Sequence, residues 1–269
     1  MQTLVAGPWL GEFGWELFMW QAHIRFLAHK YSQIVILCRT GHEFLYNDFA
    51  TECVFVDQEG PRNGWRLNEL QPFIPLDVKK YLEGAYKNID YIIPGQQFDF
   101  KDQEFIRFVA ESDKQYDLLF HCRSTDKLGT AKRNWPVEKW QELQNHFKNR
   151  RIACIGSKIE SLNIEGVEDL RGISLKNLVG VLNNTKLLIG PSSGPMHLAA
   201  LCGCSQIIFT DKSLAFEGKY TNRYRYEQGW NPFKTKSIIL DAEGWNPSLE
   251  TVIKFIEQEF NENFNGGSF

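Results

Sequence analysis

The chain has 269 residues, a formal net charge of −3 and a charged fraction of 23%. It is long enough for two ordinary domains, and its charge gives no general basic footprint for nucleic acid. The first apolar run is broken by Glu12 and Glu16, and no stretch reaches the roughly 20 apolar residues of a membrane span, so neither a secretory leader nor an integral membrane segment is expected.

In chain order, Thr3 to Ala6 reads as a strand, followed by the turn Gly7 to Gly14 and a helix to about His29. Ile34 to Cys38 is a second strand, Glu43 to Phe49 a helical stretch, and Cys53 to Val56 a third strand. The segment 57–90, rich in Pro, Gly and aromatics, carries no clear period. Tyr91 to Ile93 predicts a short strand and Asp102 to Ala110 a helix.

After the polar stretch Glu111 to Gln115 the pattern restarts. Strands are expected at Tyr116 to Cys122, Arg151 to Ile155, Val167 to Asp169, Lys186 to Ile189, Ser205 to Thr210 and Ser237 to Leu240. Helices are expected at Val137 to Lys148, Ser174 to Asn183, the stretch ending at Cys202, and Pro247 to Phe260, with 211–236 a polar, aromatic loop.

This alternation predicts an α/β protein with two Rossmann-like domains facing each other across a cleft. Residues 1–112 would form an acceptor-side domain and 113–245 a nucleotide-binding domain. A helix over 246–262 would cross back to the first domain, ahead of a frayed tail at 263–269. Cys38, Cys53, Cys122, Cys154, Cys202 and Cys204 form no CxxC pair and no zinc spacing. They read as small buried hydrophobes in a reducing, cytoplasmic compartment.

The most informative run is Leu187-Leu188-Ile189-Gly190-Pro191-Ser192-Ser193-Gly194-Pro195-Met196-His197-Leu198-Ala199-Ala200. A strand feeds a tight turn and then a helix, which offers backbone N–H groups and the positive helix end to an anion. Taken alone, the turn reads equally as an ordinary helix cap. In sheets of this kind ligands sit beyond the carboxyl ends of the strands. Three other loops there are rich in Gly, Ser and charge: 7–14, His121 to Asn134, and Gly156 to Glu160. Arg123, Lys132 and Arg133 supply cations for phosphate. Gly156 permits close backbone approach beside Ser157, and Glu160 is placed to accept from a ribose diol.

The ordered set Lys132-Arg133-x-Trp135-Pro136, Ile155-Gly156-Ser157-x-x-Glu160, Asp169-Leu170-Arg171-Gly172-x-Ser174-Leu175 and Gly190 to Ala200 resembles the donor half of the heptosyltransferases, over roughly residues 118–210. That family consists of GT-B glycosyltransferases. The resemblance implies a nucleotide-diphospho-sugar as co-substrate, no other cofactor, and metal-independent inverting transfer. It also implies a glycan or lipopolysaccharide-like hydroxyl as acceptor. By the same resemblance the diphosphate would sit on Ser192, Ser193, Gly194 and the helix starting near Met196, with Lys132 assisting and Glu160 on the ribose; Pro195 and His197, in the first turn of that helix, are further candidate donor contacts. The family's Asp before the Ser-Gly pair is replaced by Ser192 here, a departure at a position that serves sugar or phosphate recognition.

In the N-terminal half, Gly11-Glu12-Phe13-Gly14-Trp15-Glu16-Leu17 resembles the family's loop that carries a catalytic carboxylate. Matching the following helix selects Glu16 as the base, whereas the loop selects Glu12. The Gly-x-Phe-Gly loop with His121-x-Arg123 also resembles GT-B fucosyltransferases, which implies a catalytic role for Arg123 on the donor phosphate. Trp9, Gly11, Phe13 and Gly14 are candidate acceptor contacts, and Trp20 a core residue. No Asp-x-Asp metal motif is present, so cations and a helix dipole would meet the leaving group. Other readings of the same residues are transfer to a hydroxymethylated nucleic acid along Lys219, Arg223 and Arg225, a non-catalytic sugar-nucleotide-binding protein, and a hydrolytic epimerase.

Overall fold

A computed structural model describes residues 2–57, 74–94, 102–126, 129–212 and 221–265. The chain forms two compact units, Met1–Phe108 with Ser174–Lys176, and Val109–Ile173 with Asn177–Phe269.

The first unit is built on a parallel sheet of order β3-β2-β1-β4, from β1 (Thr3–Ala6), β2 (Gln33–Cys38), β3 (Glu52–Phe55) and β4 (Ile89–Ile92). Leu4, Val5 and Ala6 are buried without alternation, as befits a central strand covered on both faces. One face packs Val5, Val35, Leu37 and Val56 with Leu82, which comes from helix α3 (Leu76–Ala85). That helix lies in the segment to which the sequence assigned no element. The turn after β1 needs a glycine at Gly7. Its φ is +114°, and a Cβ there would lie 2.3 Å from the Leu37 carbonyl oxygen.

The helix expected after this turn is present in three pieces. These are α1 (Phe13–Trp15), a π-turn (Glu16–Trp20) and α2 (Gln21–Ala28). The helical stretch expected from Glu43 is a single 3-10 turn, Glu43–Leu45. The helix expected at Asp102 to Ala110 does not form; these residues are neither helix nor strand. Here tertiary bonding overrides local pattern. Glu104 N–H donates to the Ala22 carbonyl at 2.9 Å, and Phe105 and Phe108 pack on Phe18 and Phe44.

The second unit holds a six-stranded parallel sheet, order β10-β9-β8-β5-β6-β7. Its strands are β5 (Tyr116–Phe120), β6 (Ile152–Cys154), β7 (Glu168–Asp169), β8 (Thr185–Pro191), β9 (Gln206–Phe209) and β10 (Ser237–Leu240). Read from β7, this is the doubly wound nucleotide-binding order, with its reversal between β5 and β8. The connecting helices are α4 (Val137–His146), α5 (Leu175–Asn183), α6 (Gly194–Cys202) and α7 (Asn222–Gln228). The last of these lies within the segment expected to be loop. Helix α8 (Leu249–Asn265) closes the chain. Its Val252, Ile256 and Phe260 join Leu118, Phe120, Trp140 and Phe209 in this unit's core. Each such large side chain contributes about 1.5–3 kcal/mol on burial. Among the described residues no helix is long and apolar enough to cross a membrane.

Candidate functional site

The sheet reversal puts the ends of β5 and β8 side by side, where a doubly wound fold opens a crevice. His121 N–H donates to the Ile189 carbonyl at 2.9 Å, and Ile155 N–H to Phe120 at 2.9 Å, so three strand ends are tied together. Gly156 has φ +123°, and a Cβ there would stand 2.2 Å from Ser161 Oγ and 3.1 Å from His121 Nδ1. The chain can turn here only as glycine. His121 is buried with Nδ1 3.4 Å from the Ile155 carbonyl. Burial chiefly, with the Arg123 charge, pushes its pKa down to about 4.

The turn after β8 is divided between sheet and helix. Ser192 N–H donates to the Phe209 carbonyl at 2.9 Å, so this amide belongs to the β8–β9 ladder and not to a ligand. Ser193 caps α6 through its backbone, its carbonyl accepting from His197 N–H at 3.1 Å, while its hydroxyl donates to the Pro191 carbonyl at 2.9 Å. Gly194 and Met196, in the first turn of α6, present amides with no acceptor within the helix; Pro195 between them has no N–H. The turn therefore offers fewer amides to an anion than the sequence suggests, since that of Ser192 is taken up by the sheet.

His197 stands in that first turn, buried, stacked on Tyr226 at 5.3 Å and edge-on to Trp230 at 4.6 Å. Burial first, then the charges of Arg133 and Arg225, push its pKa down to about 3, so the ring is neutral at pH 7. Arg133 lies on the 3-10 turn Ala131–Arg133 with its guanidinium 4.8 Å from the Trp245 ring centre. Lys132 on the same turn is exposed. Arg225, which the sequence analysis placed in a basic track for nucleic acid, lies on α7, whose N-cap Thr221 accepts from Tyr224 N–H at 3.1 Å through its hydroxyl.

The Arg123 guanidinium is taken up by its own loop. Its guanidinium donates to the carbonyls of Thr125 and Thr130 at 3.0 Å each, to Thr130 Oγ1 at 2.6 Å, and to Asn134 Oδ1. These bonds fasten the loop that carries Lys132 and Arg133. Ser157 Oγ accepts from Glu160 N–H at 3.0 Å, and the Glu160 carbonyl accepts from Ser124 N–H at 2.7 Å. The Gly156–Glu160 loop is thus bound to the Arg123 loop. Arg171 steadies it from below, paired with Asp169 at 2.8 Å and donating to the Ser161 carbonyl at 2.6 Å.

In the first unit the two carboxylate candidates separate. The Glu16 carboxylate is 1% exposed and accepts from Arg39 at 2.8 Å, His42 Nδ1 at 2.8 Å and Tyr46 OH at 3.0 Å. Burial alone would raise its pKa, but His42 and Arg39 outweigh that and hold it low. Glu12 is exposed, at the start of α1. Gly11 is buried with its carbonyl accepting from Arg39 at 3.1 Å, and Phe13 meets His42 edge-on at 5.5 Å. Gly14 is half-buried. Trp9 is 2% exposed, stacked on Trp20 at 5.9 Å, so the ring expected to meet an acceptor is turned into the core. Of the basic run proposed as a nucleic-acid track, Arg223 is held bidentately by Asp241 at 2.8 Å, and Lys219 lies outside the described residues.

No curated protein matches the chain. Several solved structures match it along nearly its whole length, among them the following three. The glycosyl transferase family 9 protein from Veillonella parvula DSM 2008 aligns with 97% of this chain and 95% of its own, at TM-score 0.60 and 15% identity. For Escherichia coli ADP-heptose LPS heptosyltransferase II the figures are 96%, 99%, 0.57 and 16%. For E. coli heptosyltransferase WaaC with ADP-2-deoxy-2-fluoro heptose they are 96%, 99%, 0.54 and 14%. These likenesses are of fold, and they place the two parallel α/β units in the GT-B class. The sequence profile of glycosyltransferase family 9 (heptosyltransferase) matches residues 66–228, more than half of the chain. A profile match of that extent, on a chain folded as two parallel α/β units, identifies it as a glycosyltransferase that belongs to family 9, the heptosyltransferase family.

Proposed function

We propose that the protein transfers a sugar from a nucleoside-diphosphate sugar to an acceptor hydroxyl, with inversion at the anomeric carbon and without a divalent metal. The observation that carries this reading is the start of α6, where the amides of Gly194 and Met196 lie in the same turn as His197, on which the Arg133 charge acts. The donor is assigned to this turn, with Glu160 on the ribose and Lys132 reaching the phosphates. Fixed amides and guanidiniums stabilise a departing diphosphate without reorganising.

Glu12 is assigned as the base. The acceptor oxygen attacks the anomeric carbon, its proton passes to the Glu12 carboxylate, and the anomeric C–O bond breaks with its electron pair leaving on the diphosphate. Glu12 is preferred to Glu16, whose buried carboxylate already accepts from Arg39, His42 and Tyr46. The acceptor is assigned as a glycan hydroxyl of the lipopolysaccharide kind, and the compartment as the cytoplasm.

A thermal-shift panel of ADP-, GDP-, UDP- and CMP-sugars, with and without EDTA, tests the donor, since only a ligand of the native state raises the midpoint. A shift that survives EDTA and is reproduced by the matching nucleoside diphosphate is expected. Absence of any shift across the panel, or its abolition by EDTA, overturns the reading. The anomeric configuration of the product, read by NMR, tests inversion.

A further inference from the structure

Helix α7 brings a second guanidinium to the α6 turn. Arg225 lies over the Trp230 ring, 5.2 Å from its centre, and Trp230 meets His197 edge-on at 4.6 Å. Tyr226, the next residue on α7, stacks on the same imidazole at 5.3 Å with the rings 25° apart. His197 is in the first turn of α6, so these aromatic contacts fix α7 against the turn and set the height of Arg225 there. Arg133 approaches from the β5 side, braced on Trp245 at 4.8 Å.

The electrostatics agree with that geometry. Both arginine charges act on His197, and after burial it is the Arg133 charge that lowers the pKa of Arg225. Two guanidiniums within each other's field, beside the positive end of a helix, repel one another. A ligand carrying two or more negative charges converts that repulsion into attraction. A singly charged group offsets less of the repulsion.

We propose that Arg225 is a second donor-phosphate residue of this chain, gripping together with Arg133 the terminal phosphate of the nucleoside diphosphate. This rests on the donor assignment above and goes beyond it by giving α7 a share in holding the leaving group. Trp230 then has a definite task. It holds the Arg225 guanidinium over its ring in place of the many rotamers of an exposed arginine.

The test is calorimetric and needs no acceptor. The full-length protein is titrated with ADP, GDP, UDP and CDP to find the base it prefers. The preferred diphosphate, its monophosphate and its nucleoside are then compared on the parent, Arg225→Gln and Arg225→Lys. Arg225→Gln is expected to weaken the diphosphate about 10- to 100-fold, the range of a lost charged hydrogen bond, while leaving the nucleoside unchanged. Arg225→Lys is expected to recover part of the loss, having the charge without the fork. An equal loss for all three ligands means that α7 only shapes the pocket, and overturns the proposal. So does a diphosphate affinity unchanged from the parent. If the parent itself binds no nucleoside diphosphate, the donor assignment fails first, and that result is seen before any variant is made.

Discussion

Arg39 joins Glu16 to Gly11. One guanidinium nitrogen donates to the buried carboxylate at 2.8 Å and to the Gly11 carbonyl at 3.1 Å. The loop that ends in Glu12 is thus held by a carboxylate four residues further on. Glu16→Gln removes the charge that balances Arg39 while keeping the volume. Breaking a buried pair from one side costs about 3–5 kcal/mol, so a marked drop in the urea midpoint is expected. A midpoint equal to the parent's would mean that the cluster contributes nothing to the fold.

Glu12→Gln should behave in the opposite way. Its side chain is exposed and caps nothing, so the urea midpoint should stay where it is. Loss of a general base lowers kcat about 10²–10⁴-fold, with KM for the donor little changed. If transfer survives at the parent rate, the base lies elsewhere.

His121 and His197 link stability to pH. Both are buried, with pKa values pushed down to about 4 and about 3, whereas an unfolded histidine titrates near pH 6.5. Below that pH the unfolded chain binds protons that the native chain refuses, so stability is full above 6.5 and is lost as the pH falls. Each residue contributes a slope of up to about 1.4 kcal/mol per pH unit. Urea unfolding at pH 7.5, 6.5, 5.5 and 4.5 should show this fall, and His197→Gln should flatten it. A variant with the parent's slope would remove His197 from the account.

Arg123 fastens its own loop, and its loss should be felt there first. Arg123→Gln removes the donors to Thr125, Thr130 and Asn134, bonds of a charged group that contribute about 1.5–3 kcal/mol. Hydrogen exchange should quicken in residues 124–134, and KM for the donor should rise more than kcat falls. Unchanged exchange with a large fall in kcat would instead restore a direct catalytic role.

Much of the architecture was legible because buried parallel strands are continuous apolar runs. Leu187-Leu188-Ile189 and Leu118-Leu119-Phe120 announce themselves. What failed was local pattern without tertiary context. Residues 102–110 have a helical look, yet Glu104 and the two phenylalanines find their partners in the first unit's helices and turns. Helix α7 was hidden by its polarity, since only Asn222 and Tyr226 are buried. At the site, residue types were readable but their partners were not. Glu12 and Glu16 differ by what surrounds them, and Arg123 and Arg225 by whether the guanidinium turns inward to its own loop or lies over the Trp230 ring. Such differences arise between elements far apart in the chain, where no spacing rule reaches.

The Ser192 bond to Phe209 has a mechanical consequence. The last rung of the β8–β9 ladder and the first residue of α6 are separated by Ser193 alone. The amides at the start of α6 are therefore tied to the sheet through a single residue, and an anion bound there as proposed would meet groups already held by the ladder. On the proposed donor assignment, recognition at this end would be a matter of matching a preorganised template. Tolerance toward different sugars must then reside in more pliable segments, so variants that broaden donor choice should map away from the strand-to-helix junction.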